Sequence, residues 1–94
     1  MADMLDMRTA ALHLLHAVNE NQAKRRTHVT VMPHVEAQKM GWGTGPYYEA
    51  VLTYLLDEGA LVEDPAAPRI ASNVPAAFML TTHGLWFLRE EGYL

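Results

Sequence analysis

Residues 41–64 read GWGTGPYYEAVLTYLLDEGALVED, and the order of signals in this stretch decides the fold. Three glycines in five positions precede Pro46, which suits the first turn of a helix because that turn does not need the missing N–H. Apolar residues three and four apart then predict a helix from about Pro46 to Glu58, and Gly59 closes it. The run ALVED at 60–64 follows as a predicted short strand.

The glycine-rich corner does not have the composition of a nucleotide cradle. A P-loop needs a lysine followed by serine or threonine, and a dinucleotide fingerprint needs a strand that leads directly into its glycines. The stretch GWGTGP meets neither requirement. Its glycines therefore predict a turn between two helices.

The helix predicted after this corner has two unlike faces. At about 100° per residue, one side collects the apolar residues Tyr48, Val51, Leu52 and Leu55, which predicts that this side is buried. The outward side contains no Lys, Arg, Asn or Gln. It consists of Pro46, Glu49, Ala50, Thr53, Tyr54 and Asp57, with Tyr47 and Leu56 on its flanks.

The chain before the corner predicts another helix and an extended segment. Residues 34–40, HVEAQKM, predict a helix with Pro33 in its first turn and Gly41 as its left-handed cap. Residues 27–32, THVTVM, are rich in β-branched side chains and predict a single edge strand or an extended lead-in.

The N-terminal third predicts an amphipathic helix and a polar connector. We expect the helix to begin after Asp3, whose carboxylate suits the N-cap, and to run to about Asn19. Apolar residues three and four apart form its buried stripe. Residues 19–26, NENQAKRR, lose this period and predict a connector that holds three of the seven basic residues.

The C-terminal third predicts a hairpin and a last helix. Residues 76–81, AAFMLT, alternate as a strand does, and the proline-rich loop at 65–75 separates them from ALVED. Residues 81–92, TTHGLWFLREEG, provide a threonine cap, an apolar cluster and a closing glycine, which predicts a short helix.

The second half of the chain resembles the winged helix-turn-helix superfamily. Two stretches carry the resemblance: YEAVLTYLLDEGALVED, which begins at Tyr48, and FMLTTHGLWFLREEG, which begins at Phe78. The second stretch includes a Leu-Thr-x-x-Gly segment from Leu80 to Gly84. The resemblance implies an α+β fold, with a three-helix core, a two-stranded β-hairpin wing and a short C-terminal helix. We expect one domain over residues 1–94.

Membership of this superfamily would imply a transcriptional regulator that binds double-stranded DNA as a homodimer. The third helix would enter the major groove, and basic residues around it would contact phosphates. We expect the dimer seam and part of the core to come from the C-terminal group Trp86, Phe87, Tyr93 and Leu94. The predicted DNA contacts are Lys24, Arg25, Arg26, Lys39, Thr44, Tyr47, Thr53, Tyr54 and Arg69.

The charge of the chain favours an alternative partner. Seven basic and eleven acidic residues give a formal net charge of −4, so any contact with DNA needs a local basic patch. The outward face of the third helix carries Pro46, Ala50 and Tyr54, with Tyr47 on its flank and few charges, and such a face suits a protein interface. The alternative is therefore a winged-helix module that binds protein, as a subunit of a complex or as a phage-type antagonist, and does not bind DNA.

Other chemistry finds little support in the sequence. The chain has no cysteine and no nucleophile motif, so we predict no enzyme activity and no cofactor. His13 and His16 have a spacing that can hold zinc, but no third ligand is evident nearby, and we predict no metal site. The N-terminus lacks a basic signal region and no apolar run spans a membrane, which predicts a cytoplasmic protein without membrane contact.

Overall fold

The computed structural model describes residues 6–65, 69–71, 74–75 and 77–94. This part of the chain is a compact α+β fold built from four α-helices and a small antiparallel sheet, and it is compatible with a winged-helix layout. The helices are α1 Met7–Val18, α2 Pro33–Lys39, α3 Pro46–Asp57 and α4 Thr82–Glu90. The strands are β1 Thr30–Val31, β2 Leu61–Glu63, β3 Arg69–Ala71, β4 Val74–Pro75 and β5 Phe78–Leu80.

The α1 helix begins at a different cap from the predicted one. Asp6 is its N-cap, and the Asp6 carboxylate accepts hydrogen bonds from the Thr9 amide at 3.0 Å and from the Thr9 hydroxyl at 2.9 Å. These two bonds hold the pKa of Asp6 below its usual value. The predicted cap, Asp3, lies outside the described residues.

The chain does not leave the helical conformation where the polar connector was predicted. Residues Asn19–Ala23 continue α1 as a π-helical turn, and Lys24 ends it in the left-handed conformation. Asn19 is fully buried, and Gln22 is half-buried. The polar composition of this segment therefore reflects internal hydrogen bonds in addition to exposure to water.

The sheet joins the two strands of the predicted hairpin to the edge strand predicted within residues 27–32, which is confirmed at Thr30–Val31. Its order is β1–β5–β2, because β1 pairs antiparallel with the free side of β5 while β2 pairs with the other side. Thr30 lies opposite Met79, and Leu61 lies opposite Leu80. The long loop of the predicted hairpin also contains a paired ribbon, β3–β4, and the two strands of that hairpin correspond to the β2–β5 pair.

The core lies where α1 packs against the other helices and one face of the sheet. The fully buried α1 residues Leu14 and Leu15 meet Val51 and Leu55 of α3, and Phe78 of the central strand closes the cluster. Tyr48 belongs to the same core, and burial raises the pKa of its hydroxyl to about 12. The predicted inward face of α3 is thus confirmed at Tyr48, Val51 and Leu55, whereas Leu52 is only half-buried.

The Leu-Thr-x-x-Gly segment fixes the start of α4 against the sheet. Thr81 is the N-cap, and its hydroxyl oxygen accepts from the Gly84 amide at 2.9 Å and lies 2.6 Å from the Gly59 carbonyl oxygen. The helix approaches so closely that a Cβ added at Gly84 would lie 2.5 Å from the Ala60 carbonyl oxygen. The threonine and the glycine of this segment therefore join α4 to the turn between α3 and β2.

Candidate nucleic-acid interface

The turn between α2 and α3 is compact and depends on two left-handed glycines. Gly41 has φ +83° and Gly43 has φ +71°, a region that glycine adopts without the steric cost of a Cβ. Between them the Trp42 amide donates to the Ala37 carbonyl oxygen at 2.9 Å, which turns the chain back over the end of α2. The chain is thereby directed into α3 at Pro46.

Three of the predicted DNA contacts are exposed on this α2–turn–α3 unit. Lys39 lies in the last turn of α2, Thr44 lies in the turn, and Thr53 lies on the outward face of α3. Tyr47 belongs to the same unit but is half-buried, because its ring packs edge-on against Trp42 at a centroid distance of 5.0 Å. Of the predicted contacts on this unit, two hydroxyls and one ammonium group are therefore exposed to a partner.

Lys39 is not a free cation. Its ammonium group lies 3.6 Å from a carboxylate oxygen of Glu36, one turn earlier on α2. Glu36 is 2% exposed and also accepts hydrogen bonds from the side-chain amides of Asn21 at 2.8 Å and Gln22 at 2.9 Å. A phosphate contact by Lys39 would share the ammonium group with this buried carboxylate. No sequence signal identified Glu36, because a glutamate in a short helix is usually exposed.

The structure turns Tyr54 toward α1 and α4. The residue is half-buried, and Arg8 of α1 shares hydrogen bonds with Glu91 and with Tyr54, which raise the pKa of Arg8. The Arg8 guanidinium also lies over the Phe87 ring, 4.9 Å from its centroid. Tyr54 is therefore less accessible than Thr53, and this placement does not favour its predicted contact with DNA.

The predicted basic contacts before the sheet and in the wing belong to backbone segments beside opposite ends of β5. The connector before β1 exposes Lys24, Arg25 and Arg26. It lies beside the C-terminal end of β5, because the His28 amide donates to the carbonyl oxygen of Leu80, the last residue of that strand. Arg69 is the first residue of β3. The chain enters β3 after β2, whose last residue, Glu63, lies opposite Phe78 at the N-terminal end of β5. The backbone of Arg69 is described, but its side chain lies outside the described part. The backbone of residues 24–26 and the backbone of Arg69 thus lie beside opposite ends of β5.

The outward face of α3 is acidic along its length. Glu49 lies in its first turn, Asp57 in its last turn and Glu58 at its C-cap, and all three are exposed. A duplex that approached this face would meet these carboxylates as well as the hydroxyl of Thr53. Contact with phosphates would therefore depend on cations outside α3.

The paired histidines of α1 pack against the C-terminus. The rings of His13 and His16 lie 6.0 Å and 5.4 Å from the Tyr93 ring centroid. Within the described residues there is no group of three or more histidine and carboxylate side chains arranged to hold a metal ion. Among the same residues, no helix combines the length and the apolar character needed to cross a membrane.

Comparison with known proteins identifies no relative of this chain. No protein-family model, no curated protein and no solved structure matches it. The resemblance to winged-helix proteins therefore depends on the order of the elements and on residues 80–84. The function has to be inferred from the surfaces that the chain itself presents.

Proposed function

We propose that the chain is a winged-helix protein that binds double-stranded DNA through its α2–turn–α3 unit and regulates transcription. The observation that carries the proposal is the outward exposure of Lys39, Thr44 and Thr53 on two helices joined by a compact glycine turn. In a helix-turn-helix, hydroxyl and ammonium groups at these places reach phosphates, and the second helix enters the major groove.

The strand order of the sheet also supports a winged-helix protein that binds DNA. The order β1–β5–β2, followed by a ribbon beyond one end, is the arrangement that a wing would have beside the second helix. With a formal net charge of −4, the chain would need its few cations close to phosphates, and a homodimer would present each of them twice. Binding would therefore be weak at high ionic strength.

A single substitution on α3 tests the proposal. Thr53→Glu adds a carboxylate to the exposed face of α3, and we expect it to weaken binding to a random-sequence duplex about tenfold or more, because a like charge would face the phosphates. The measurement is fluorescence anisotropy at low salt with increasing protein. Arg89→Ala changes the net charge by the same one unit at an exposed position of α4 and serves as the control.

The acidic α3 face favours a second candidate function. Glu49, Asp57 and Glu58 offer no attraction to phosphates, whereas Trp86, at 55% exposure, is a side chain that protein interfaces favour. Under this alternative the chain is a winged-helix module that binds protein. If the wild-type protein does not bind random duplex at low ionic strength, the DNA proposal is wrong and this alternative takes its place.

A further inference from the structure

The connector between α1 and β1 carries an unusual set of cations. The side chains of Lys24, Arg25 and Arg26 are consecutive and exposed, and they make no hydrogen bond or ion pair with any described residue. By contrast, Arg8 pairs with Glu91 and Lys39 pairs with Glu36. The strongest local concentration of unpaired positive charge in an acidic protein therefore lies in this loop.

The backbone of the loop is one that glycine would suit better. Lys24 has φ +52° and Arg25 has φ +66°, two successive left-handed residues that each carry a Cβ. Residues with a Cβ are disfavoured in this region, and glycine is not. Lys24 and Arg25 thus occupy positions where the backbone conformation favours glycine.

Hydrogen bonds of the buried Asn19 and of the half-buried Gln22 hold this conformation in place. The side-chain oxygen of the fully buried Asn19 accepts from the Arg25 amide at 2.7 Å, and the Asn19 carbonyl oxygen accepts from the Lys24 amide. The π-helical turn before the loop is tied to the start of α2, because the Gln22 side chain bonds the Met32 amide at 2.7 Å and the Met32 carbonyl oxygen at 3.0 Å. The loop is therefore fixed before any partner arrives.

We propose that residues 24–26 form a preorganised phosphate-contact site for duplex DNA, with Asn19 as the residue that positions it. Local strain that the surrounding structure maintains is typical of functional sites. A fixed loop loses little conformational freedom on binding, so its cations retain more of their attraction for phosphates. This inference rests on the proposed function and deepens it, because it assigns the main phosphate contact to the connector and not to α3.

The test separates two effects of glycine at these positions, which relieves the left-handed backbone but removes the positive charge. In the full chain, Lys24→Gly/Arg25→Gly relieves the left-handed positions and removes two cations. We expect an unchanged or higher melting temperature, together with weaker binding to random duplex. The slope of log affinity against log salt should fall by about 1.8, since each phosphate contact contributes about 0.9.

Two further variants make the measurement specific. Arg89→Ala/Thr82→Glu lowers the formal net charge by the same two units, from −4 to −6, at exposed positions outside the loop, and its salt slope should stay within error of the wild type. Lys24→Gln/Arg25→Gln removes the charges without adding glycine, and it should reduce the slope as the glycine variant does. An equal decrease of the salt slope in all three double variants would show a general effect of net charge and overturn the proposal.

The remaining outcomes separate this inference from the proposed function. If Thr53→Glu weakens binding while the loop variants keep the wild-type slope, the loop site is wrong and the DNA-binding proposal stands. If the wild-type protein does not bind duplex at low salt, both are wrong. Loop-dependent binding to phosphatidylglycerol vesicles without binding to duplex would overturn the proposal in favour of an anionic membrane surface.

Discussion

Gly84 is the single residue on which the contact between α4 and the sheet depends most directly. In an ordinary helix position, replacing glycine by alanine stabilises the protein by about 0.5–1 kcal/mol, because alanine restricts the unfolded chain. At Gly84 the added Cβ would lie 2.5 Å from the Ala60 carbonyl oxygen and 3.0 Å from a Leu80 methyl group. Backbone atoms cannot give way as a flexible side chain does.

We therefore expect Gly84→Ala to destabilise the protein by about 1–3 kcal/mol, the usual cost of overpacking a core. Urea unfolding followed by circular dichroism measures the change. Gly45→Ala is the matched control, because a Cβ there meets nothing within 4 Å and φ is −86°. A stabilised Gly84→Ala protein would contradict the close approach of α4 to Ala60.

At the level of elements, a polar network around the buried Glu36 joins α2 to the turn that continues α1. The Glu36 carboxylate receives the amide groups of Asn21 and Gln22 and pairs with Lys39. A carboxylate can accept all of these donors, whereas a glutamine at the same place would direct its own NH₂ group at one of them. A buried donor without an acceptor is costly because it has lost its bonds to water.

We expect Glu36→Gln to lower the free energy of unfolding by about 2 kcal/mol, measured by urea denaturation near neutral pH. Glu49→Gln makes the same chemical change at an exposed position of α3 and should alter stability by about 0.5 kcal/mol or less. Equal effects at the two positions would mean that the network contributes nothing specific to the fold.

The same elements show which parts of the fold the sequence could predict. Proline starts and glycine ends are local signals, so the bounds of α2 and α3 followed from Pro33, Gly41, Pro46 and Gly59, and the structure confirms them within about one residue. The π-helical turn at Asn19–Ala23 could not be predicted in this way. Its side chains are polar because they serve a buried glutamate 14 and 15 residues away, and no local pattern records such a partner.

The candidate interface was predictable only in part for a similar reason. Projection on a helix placed Thr53 outward correctly, since that depends only on the helical period. It also placed Tyr54 outward, but a neighbouring element decides the position of this residue, because Arg8 of α1 draws it into a contact between helices. The separation of residues 24–26 from the ribbon follows from the direction of β5 in the sheet, which composition cannot give.

At the scale of the whole molecule, the aromatic residues of the predicted dimer seam differ in their exposure to a partner. Phe87 lies in the core at 4% exposure and is not available to a partner. Trp86 is 55% exposed, and its ring stacks on His83 at a centroid distance of 5.9 Å and an interplanar angle of 28°. A large apolar ring that is already held in place loses little freedom on association and suits the centre of an interface.

If the protein forms the predicted homodimer through this face, Trp86→Glu should shift it to monomer, because two carboxylates would meet across the two-fold axis without a counter-charge. Sedimentation velocity over a range of concentrations measures the change, and we expect the dissociation constant to rise at least about 30-fold, since a central tryptophan typically contributes about 2 kcal/mol or more. Met32→Glu places the same charge at another exposed apolar side chain and should leave the dimer intact. A wild-type protein that stays monomeric at all concentrations would contradict the homodimer itself, whereas a dimer that tolerates Trp86→Glu would place the two-fold axis on another face.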